Sequence, residues 1–137
     1  MIRILMAFLF LLPAYGPSYA VVDTISYCVQ GQKRITCVVD GDTLWLHGTK
    51  IRLKGFDTPE PQVKLCGGNR ERALADKASG RLIELLNTND WTIDYFGKGR
   101  NGRRLATISI KGRDVGDILI EEKLARSWPD GHEFWCN

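Results

Sequence analysis

The stretch VVDGDTLWLHGTKIRLKGFDTPEP, Val38 to Pro61, constrains this chain more than any other part of it. Thr43 to His47 alternates as a strand, Gly48-Thr49 reads as a turn, and Lys50 to Phe56 reads as the returning strand. A hairpin brings its first and last residues to one open end, with neighbouring strands about 4.8 Å apart. Asp42 enters that end and Asp57 leaves it, so two carboxylates distant in sequence are expected to meet; in the sequence Arg52 falls between the pair Asp40 and Asp42 and the pair Asp57 and Glu60. Carboxylates brought together repel unless a proton or a cation separates them. Oxygen ligands without a paired His or Cys suit a hard cation such as calcium or magnesium. The planar fork of Arg52 matches a phosphate bidentately. On chemical grounds, a hard metal beside an arginine is an arrangement for cleaving phosphodiesters.

Taken singly, these pieces say little. Asp-Gly is an ordinary turn signal, and Asp40 and Asp42 alone could simply cap a turn. TPEP alone could be a chain reversal before a helix. The combination of DGDT with RLKGFDTPE at this interval resembles the thermonuclease, or staphylococcal nuclease-like, family. The resemblance continues through GRRLATI at 102–108 and DVGDILIEEKLA at 114–125, and so covers most of the chain after Arg34.

With 137 residues and a formal net charge of +3, the chain has room for one domain with its own core, and a mild preference for anionic partners. That charge does not separate nucleic acid from a membrane surface. Arg3, the apolar run Ile4 to Leu12 and the small-residue segment Pro13 to Ala20 have the pattern of a secretory signal peptide cut after Ala20. The apolar run is short for a membrane anchor, which needs about 20 residues. The expected organisation is therefore signal peptide 1–20, leader segment 21–33, and a domain at 34–137. An exported protein, periplasmic or secreted, with no stable membrane association after cleavage, follows as the expectation.

Cys28, Cys37, Cys66 and Cys136 all follow the cleavage point, and an even number of cysteines in an exported domain argues for disulfides. Four cysteines permit three connectivities, and sequence alone does not choose among them. The expected pairing is Cys28 with Cys37, closing the leader onto the first strand, and Cys66 with Cys136, pinning the C-terminal tail. No CxxC spacing recommends zinc, and His47 and His132 read as surface residues.

Along the chain, the β-branched run Arg34 to Val39 reads as a strand delivering Asp40. Pro61 to Gly68 is a loop. Leu74, Ala78, Leu82, Leu85 and Leu86 recur at helical spacing, with Asn69 as the expected N-cap and Asn87 near the helix end. Trp91 to Phe96 reads as a fourth strand, GKGRNGRR at 97–104 as a basic loop, and Leu105 to Ile110 as a fifth strand. Lys111-Gly112 turns the chain, and Asp114 caps a second helix reaching about Lys123, with Ile118 and Leu119 inward. Five strands and two helices fit an α+β fold that is mainly β-barrel, of the OB type. The resemblance implies the same five-stranded Greek-key barrel with two packed helices.

Carried over position by position, the resemblance implies a calcium-dependent nuclease acting on DNA and RNA with little sequence specificity, as a monomer. Asp42 and Asp57 become direct calcium ligands together with the Thr58 carbonyl oxygen, and Asp40 acts from the outer shell. Arg52 and Arg103 become the active-site arginines, and Glu60 the carboxylate that positions or deprotonates the attacking water. Lys98, Arg100 and Arg104 extend the contact to nucleic acid. Compared with the family pattern, Asn101 stands where a tyrosine is usual and Gly99 where an acid is usual. The tyrosines after GLA are missing, with Trp128 the only aromatic nearby, and Lys123 takes a glycine position. The long C-terminal helix is reduced to the tail Pro129 to Asn137. A different class of reading is a non-catalytic OB module that binds single strands or another polyanion.

Overall fold

The computed structural model describes residues 24–62 and 65–136. The expected signal peptide and its cleavage point lie outside the described residues. Strands β1 (Cys37–Asp40), β2 (Thr43–Leu46) and β3 (Thr49–Leu53) form an antiparallel meander. A two-residue strand, β4 (Phe56–Asp57), follows, then the long helix α1 (Gly68–Thr88). Strands β5 (Thr92–Lys98) and β6 (Arg104–Ile110) form a second antiparallel pair, and β7 (Arg113–Asp114) leads into helix α2 (Val115–Glu121). The sheet order is β1-β2-β3-β6-β5, with β7 on β6 and with β3 parallel to β6. A last short strand, β8 (Arg126–Ser127), pairs with β4 away from the main sheet. The fold is thus α+β, a mixed sheet with two helices. Among the described residues no ladder joins β1 to β5, so the expected barrel closure is absent from the strand pairing.

The hairpin turns one residue earlier than the sequence suggests. His47 and Gly48 form the turn, with φ of 48° and 78°, and Leu46 pairs with Thr49. A two-residue loop with both centres left-handed follows the natural twist of the strands, which a Gly48-Thr49 turn would not. The return strand also stops early, at Leu53, because Gly55 (φ 86°) breaks the ladder before β4. Helix α1 starts at Gly68 with Gly67 as its N-cap, rather than at Asn69. The buried carboxylate of Glu71 supplies the cap by accepting the Gly67 N–H at 2.9 Å. The fourth strand runs on to Lys98, shortening the basic loop. Asp114 caps α2 as expected, its carboxylate accepting from Gly116 N at 2.7 Å, and the helix ends at Glu121.

One core lies between the sheet and the helices. Val38, Leu44, Ile51, Leu53, Ala106 and Ile108 face Leu82, Leu85 and Leu86 of α1 and Val115 and Leu119 of α2. Of the expected helical stripe only Leu74 is half-buried. Each fully buried Leu or Ile contributes about 1.5–3 kcal/mol, so this cluster holds α1 to the sheet without help from the polar site. The leader runs beside β1: Val38 N–H donates to Ser26 O at 2.8 Å and Cys28 N–H to Val38 O at 2.9 Å. The Asn87 side chain fastens it by bonding both backbone groups of Ile25. The disulfides are Cys28–Cys37 and Cys66–Cys136, the expected pairing. Among the described residues no helix is long and apolar enough to cross a membrane.

Candidate functional site

The link between β1 and β2 is Gly41-Asp42, and it is crowded. A Cβ at Gly41 would lie 2.7 Å from Thr58 Cγ2 and 2.9 Å from Ala78 Cβ, so only glycine lets α1 and the Thr58 segment close over this turn. Asp40 Oδ1 accepts the Asp42 N–H at 3.2 Å, which tightens the turn and aims Asp42 inward. Asp42 is 2% exposed. Its Oδ2 accepts the Thr58 N–H at 3.1 Å and the Thr58 hydroxyl at 3.2 Å, while Oδ1 accepts from Thr43 Oγ1 at 2.9 Å. Thr43 pairs with Arg52 across the hairpin, and Arg52 Nη1 therefore meets Asp42 Oδ1.

The same guanidinium reaches Asp57, Nη2 to Oδ1 at 3.4 Å, and also bonds Phe56 O at 3.3 Å. Arg52 thus stands between the two carboxylates, as the positive charge that their meeting demands. The meeting of Asp42 and Asp57 at one hairpin end is as the sequence suggests. A second guanidinium, which the sequence analysis missed, holds the other oxygen: Arg126 Nε lies 2.9 Å from Asp57 Oδ2. Arg126 is held in turn by Gly131 O at 3.0 Å and Glu133 at 3.7 Å, and packs against the rings of Trp128 and Trp135. Its neighbours in sequence show no periodicity and its partner is 69 residues away, so nothing local marks it.

Burial first, and then the negative charge of Asp40, push the Asp42 carboxyl up to about 7, with Arg52 and the Thr58 N–H pulling it back. Glu60 lies at the surface with its carboxyl partly desolvated. That desolvation, followed by the charges of Asp42 and Asp57, raises its pKa above the usual range. The Glu60 backbone N–H is anchored on Glu71 Oε1 at 3.2 Å. Glu71 is thus shared between the helix cap and the Glu60 segment, and Cys66 Sγ lies 3.4 Å from its other oxygen. An acid in the first turn after Gly67-Gly68 is the sequence signal that could have found it.

Beside these groups is a cleft of about 610 Å³ lined by Arg52, Lys54, Arg100, Arg103, Leu105 and Trp128, among others. Arg103 is half-buried, its Nε donating to Arg100 O at 3.2 Å. It lines the same cleft as Arg52. Of the three further cations expected to contact nucleic acid, Arg100 lines the cleft, whereas Lys98 and Arg104 are exposed and lie outside its lining. Arg104 instead rests over the Tyr95 ring at 4.2 Å. Lys54 takes its place among the cleft cations, 4.1 Å from the Phe96 ring centroid.

The chain is thus of the class that gathers carboxylates and guanidiniums at the mouth of a small mixed sheet, a set of charges suited to phosphate chemistry. The family model described as staphylococcal nuclease homologue matches residues 50–133, more than half of the chain, and the chain belongs to that family. The match takes in Arg52, Asp57, Thr58, Glu60 and Arg103. Asp40 and Asp42 precede it, and it is the tertiary structure that brings them to the same point. No match is found among curated proteins.

Proposed function

We propose that this protein is a calcium-dependent nuclease that hydrolyses phosphodiesters in DNA and RNA with little sequence preference. The observation that carries the reading is the junction of Asp42, Asp57 and Arg52, within a chain of the staphylococcal nuclease family. The donor set fits a hard cation: carboxylates of Asp42 and Asp57 and the Thr58 carbonyl oxygen, with Asp40 in the outer shell and no nitrogen or sulfur ligand in the set. Burial raises the affinity of Asp42 for a positive partner, since its negative charge is unfavourable there without one. When bound, calcium would supply Lewis-acid polarisation of the phosphoryl oxygen.

The protein's own groups do the rest. Arg52 and Arg103 face one cleft, and their guanidiniums would stabilise the extra charge of the transition state more than that of the ground state. Glu60, with its raised pKa, suits the role of orienting the attacking water and taking its proton. Exposed Trp128 forms one wall of that cleft and offers a face on which a base can stack. Backbone contacts through arginine carry no sequence information, which accounts for broad substrate use.

The strand order and the parallel β3–β6 pairing support an OB-type arrangement of the sheet. The two disulfides support export to the periplasm or beyond, by way of the signal peptide at 1–20, and the protein is proposed to act as a monomer. Hydrolysis of plasmid DNA and of RNA with calcium, and its abolition by chelator, is the deciding measurement. Binding of single strands without hydrolysis in calcium would instead establish the non-catalytic module.

A further inference from the structure

A second cleft, about 770 Å³, opens between α1, the exit of α2 and the C-terminal tail. Its apolar surface comes from Ala73, Leu74, Ile120, Ala125 and Phe134, and its charged groups are Arg70, Lys77, Lys123 and Arg126, with His132 beside them. Among the described residues no carboxylate lines it. Two of the acids next to it in sequence are engaged on other arginines, Glu122 on Arg81 at 2.9 Å and Glu121 on Arg113, while Glu133 lies 3.7 Å from Arg126 and offsets part of that residue's charge in the cleft. Neither Lys77 nor Lys123 enters an ion pair among the described residues.

Lys123 is the telling residue. It leaves α2 with φ of 59°, a left-handed conformation that glycine adopts freely and a side chain disfavours. Lys123 lines the cleft together with Lys77 of α1. Residues 126–128 make the wall common to both clefts: Arg126 and Ser127 line this one, Trp128 lines the cleft of Arg52 and Arg103, and Arg126 touches Asp57.

We propose that this cleft is an accessory binding site for single-stranded nucleic acid, holding the strand beyond the scissile phosphate. Lys77 and Lys123 would take phosphates and the Phe134 ring a base, the combination of cations and apolar faces by which proteins track single strands. The strand crosses from the cleavage cleft over the wall at residues 126–128. The identity of the occupant as substrate rests on the nuclease reading; the binding itself does not.

The test uses a fluorescent single strand of about twelve nucleotides, within the span of such sites, bound to the full mature chain in chelator so that none is cut. Lys123→Gly is expected to raise the melting temperature, by relieving the left-handed lysine, while weakening binding several-fold. Lys77→Glu with Lys123→Gly is expected to weaken it at least tenfold and to flatten the salt dependence, by about 1.4 in log–log slope for two lost phosphate contacts. Phe134→Leu, which keeps the apolar packing on Trp135, should weaken binding without changing that slope. Hydrolysis of bis(p-nitrophenyl) phosphate, too small to reach this cleft, should be unaffected by the lysine changes. A raised melting temperature with unchanged affinity in Lys123→Gly overturns the proposal. So does strand binding unaltered in the double variant, or a double variant that loses only its binding to phosphatidylglycerol vesicles. Failure of the wild type to hydrolyse either small diester or nucleic acid would instead overturn the nuclease reading, and leave the binding result to stand on its own.

Discussion

Asp57 and Arg126 face each other across the β4–β8 ladder, Nε to Oδ2 at 2.9 Å, although 69 residues separate them. The other oxygen of Asp57 is turned to Arg52. One carboxylate is therefore shared by β3 of the hairpin and by β8, the strand that leads into the C-terminal tail. Both guanidiniums are largely shielded from water, which makes the pairing stronger than a surface ion pair but leaves a costly charge if one partner is removed.

Asp57→Asn is expected to lower calcium affinity and turnover together. It should also destabilise the metal-free protein, by about 1–3 kcal/mol, because an amide cannot neutralise two guanidiniums. Calorimetric calcium titration and thermal melts check both halves. Unaltered calcium affinity would remove Asp57 from the ligand set.

Arg52→Lys and Arg103→Lys keep the charge but lose the planar fork. Each is expected to reduce turnover by a factor of about 10² or more. The two should differ in calcium binding. Arg52 contacts both Asp42 and Asp57, whereas the Arg103 side chain bonds its own loop. Loss of the Arg52 fork frees ligand oxygens and should tighten calcium binding, whereas Arg103→Lys should leave it unchanged, a difference that direct titration reads.

The pH dependence of stability in chelator follows from Asp42. Its folded-state pKa, about 7, lies above the unfolded value near 3.8, so the protonated form is favoured by folding. The stabilisation is present below the unfolded value and is lost as pH rises through about 7. The metal-free protein should thus melt at lower temperature at pH 8 than at pH 5, and calcium should reverse the trend. Asp42→Asn should flatten this slope, measured as melting temperature against pH.

Glu71→Ala removes the acceptor shared by Gly67 N–H and Glu60 N–H. Leaving such groups unpaired costs about 1–3 kcal/mol each. The variant is expected to lose stability and also kcat, since the Glu60 segment loses its anchor, with KM little changed. Glu71→Gln keeps one acceptor oxygen and should recover part of both. A melting-temperature loss with normal kcat would limit Glu71 to capping the helix.

Reduction of Cys66–Cys136, which spans 70 residues, should lower stability by about 2–4 kcal/mol. Because the tail carries the groups that hold Arg126, and Cys66 lies against Glu71, activity should fall with it. Cys66→Ser/Cys136→Ser assayed beside the reduced wild type separates loss of the bridge from exposure of thiols.

Much of the site was legible because the hairpin is a local object. Alternation from Thr43 and the turn near Gly48 are enough to bring Asp42 and Asp57 to one end, whichever residue begins the turn. Resemblance to a known family then located Glu60 and Arg103, whose positions no periodicity could supply. The helices were legible for the same reason as the hairpin: an apolar stripe from Ala78 to Leu86 and an Asp114 cap act over one or two turns. Small boundary differences came from backbone conformation, as at His47 and Gly55, which composition does not report. Arg126, Glu71 and the wall at Trp128 were settled only by tertiary structure. Their partners are remote in sequence, and a contact between remote residues exists only once the core has packed the sheet, α1 and the tail against one another.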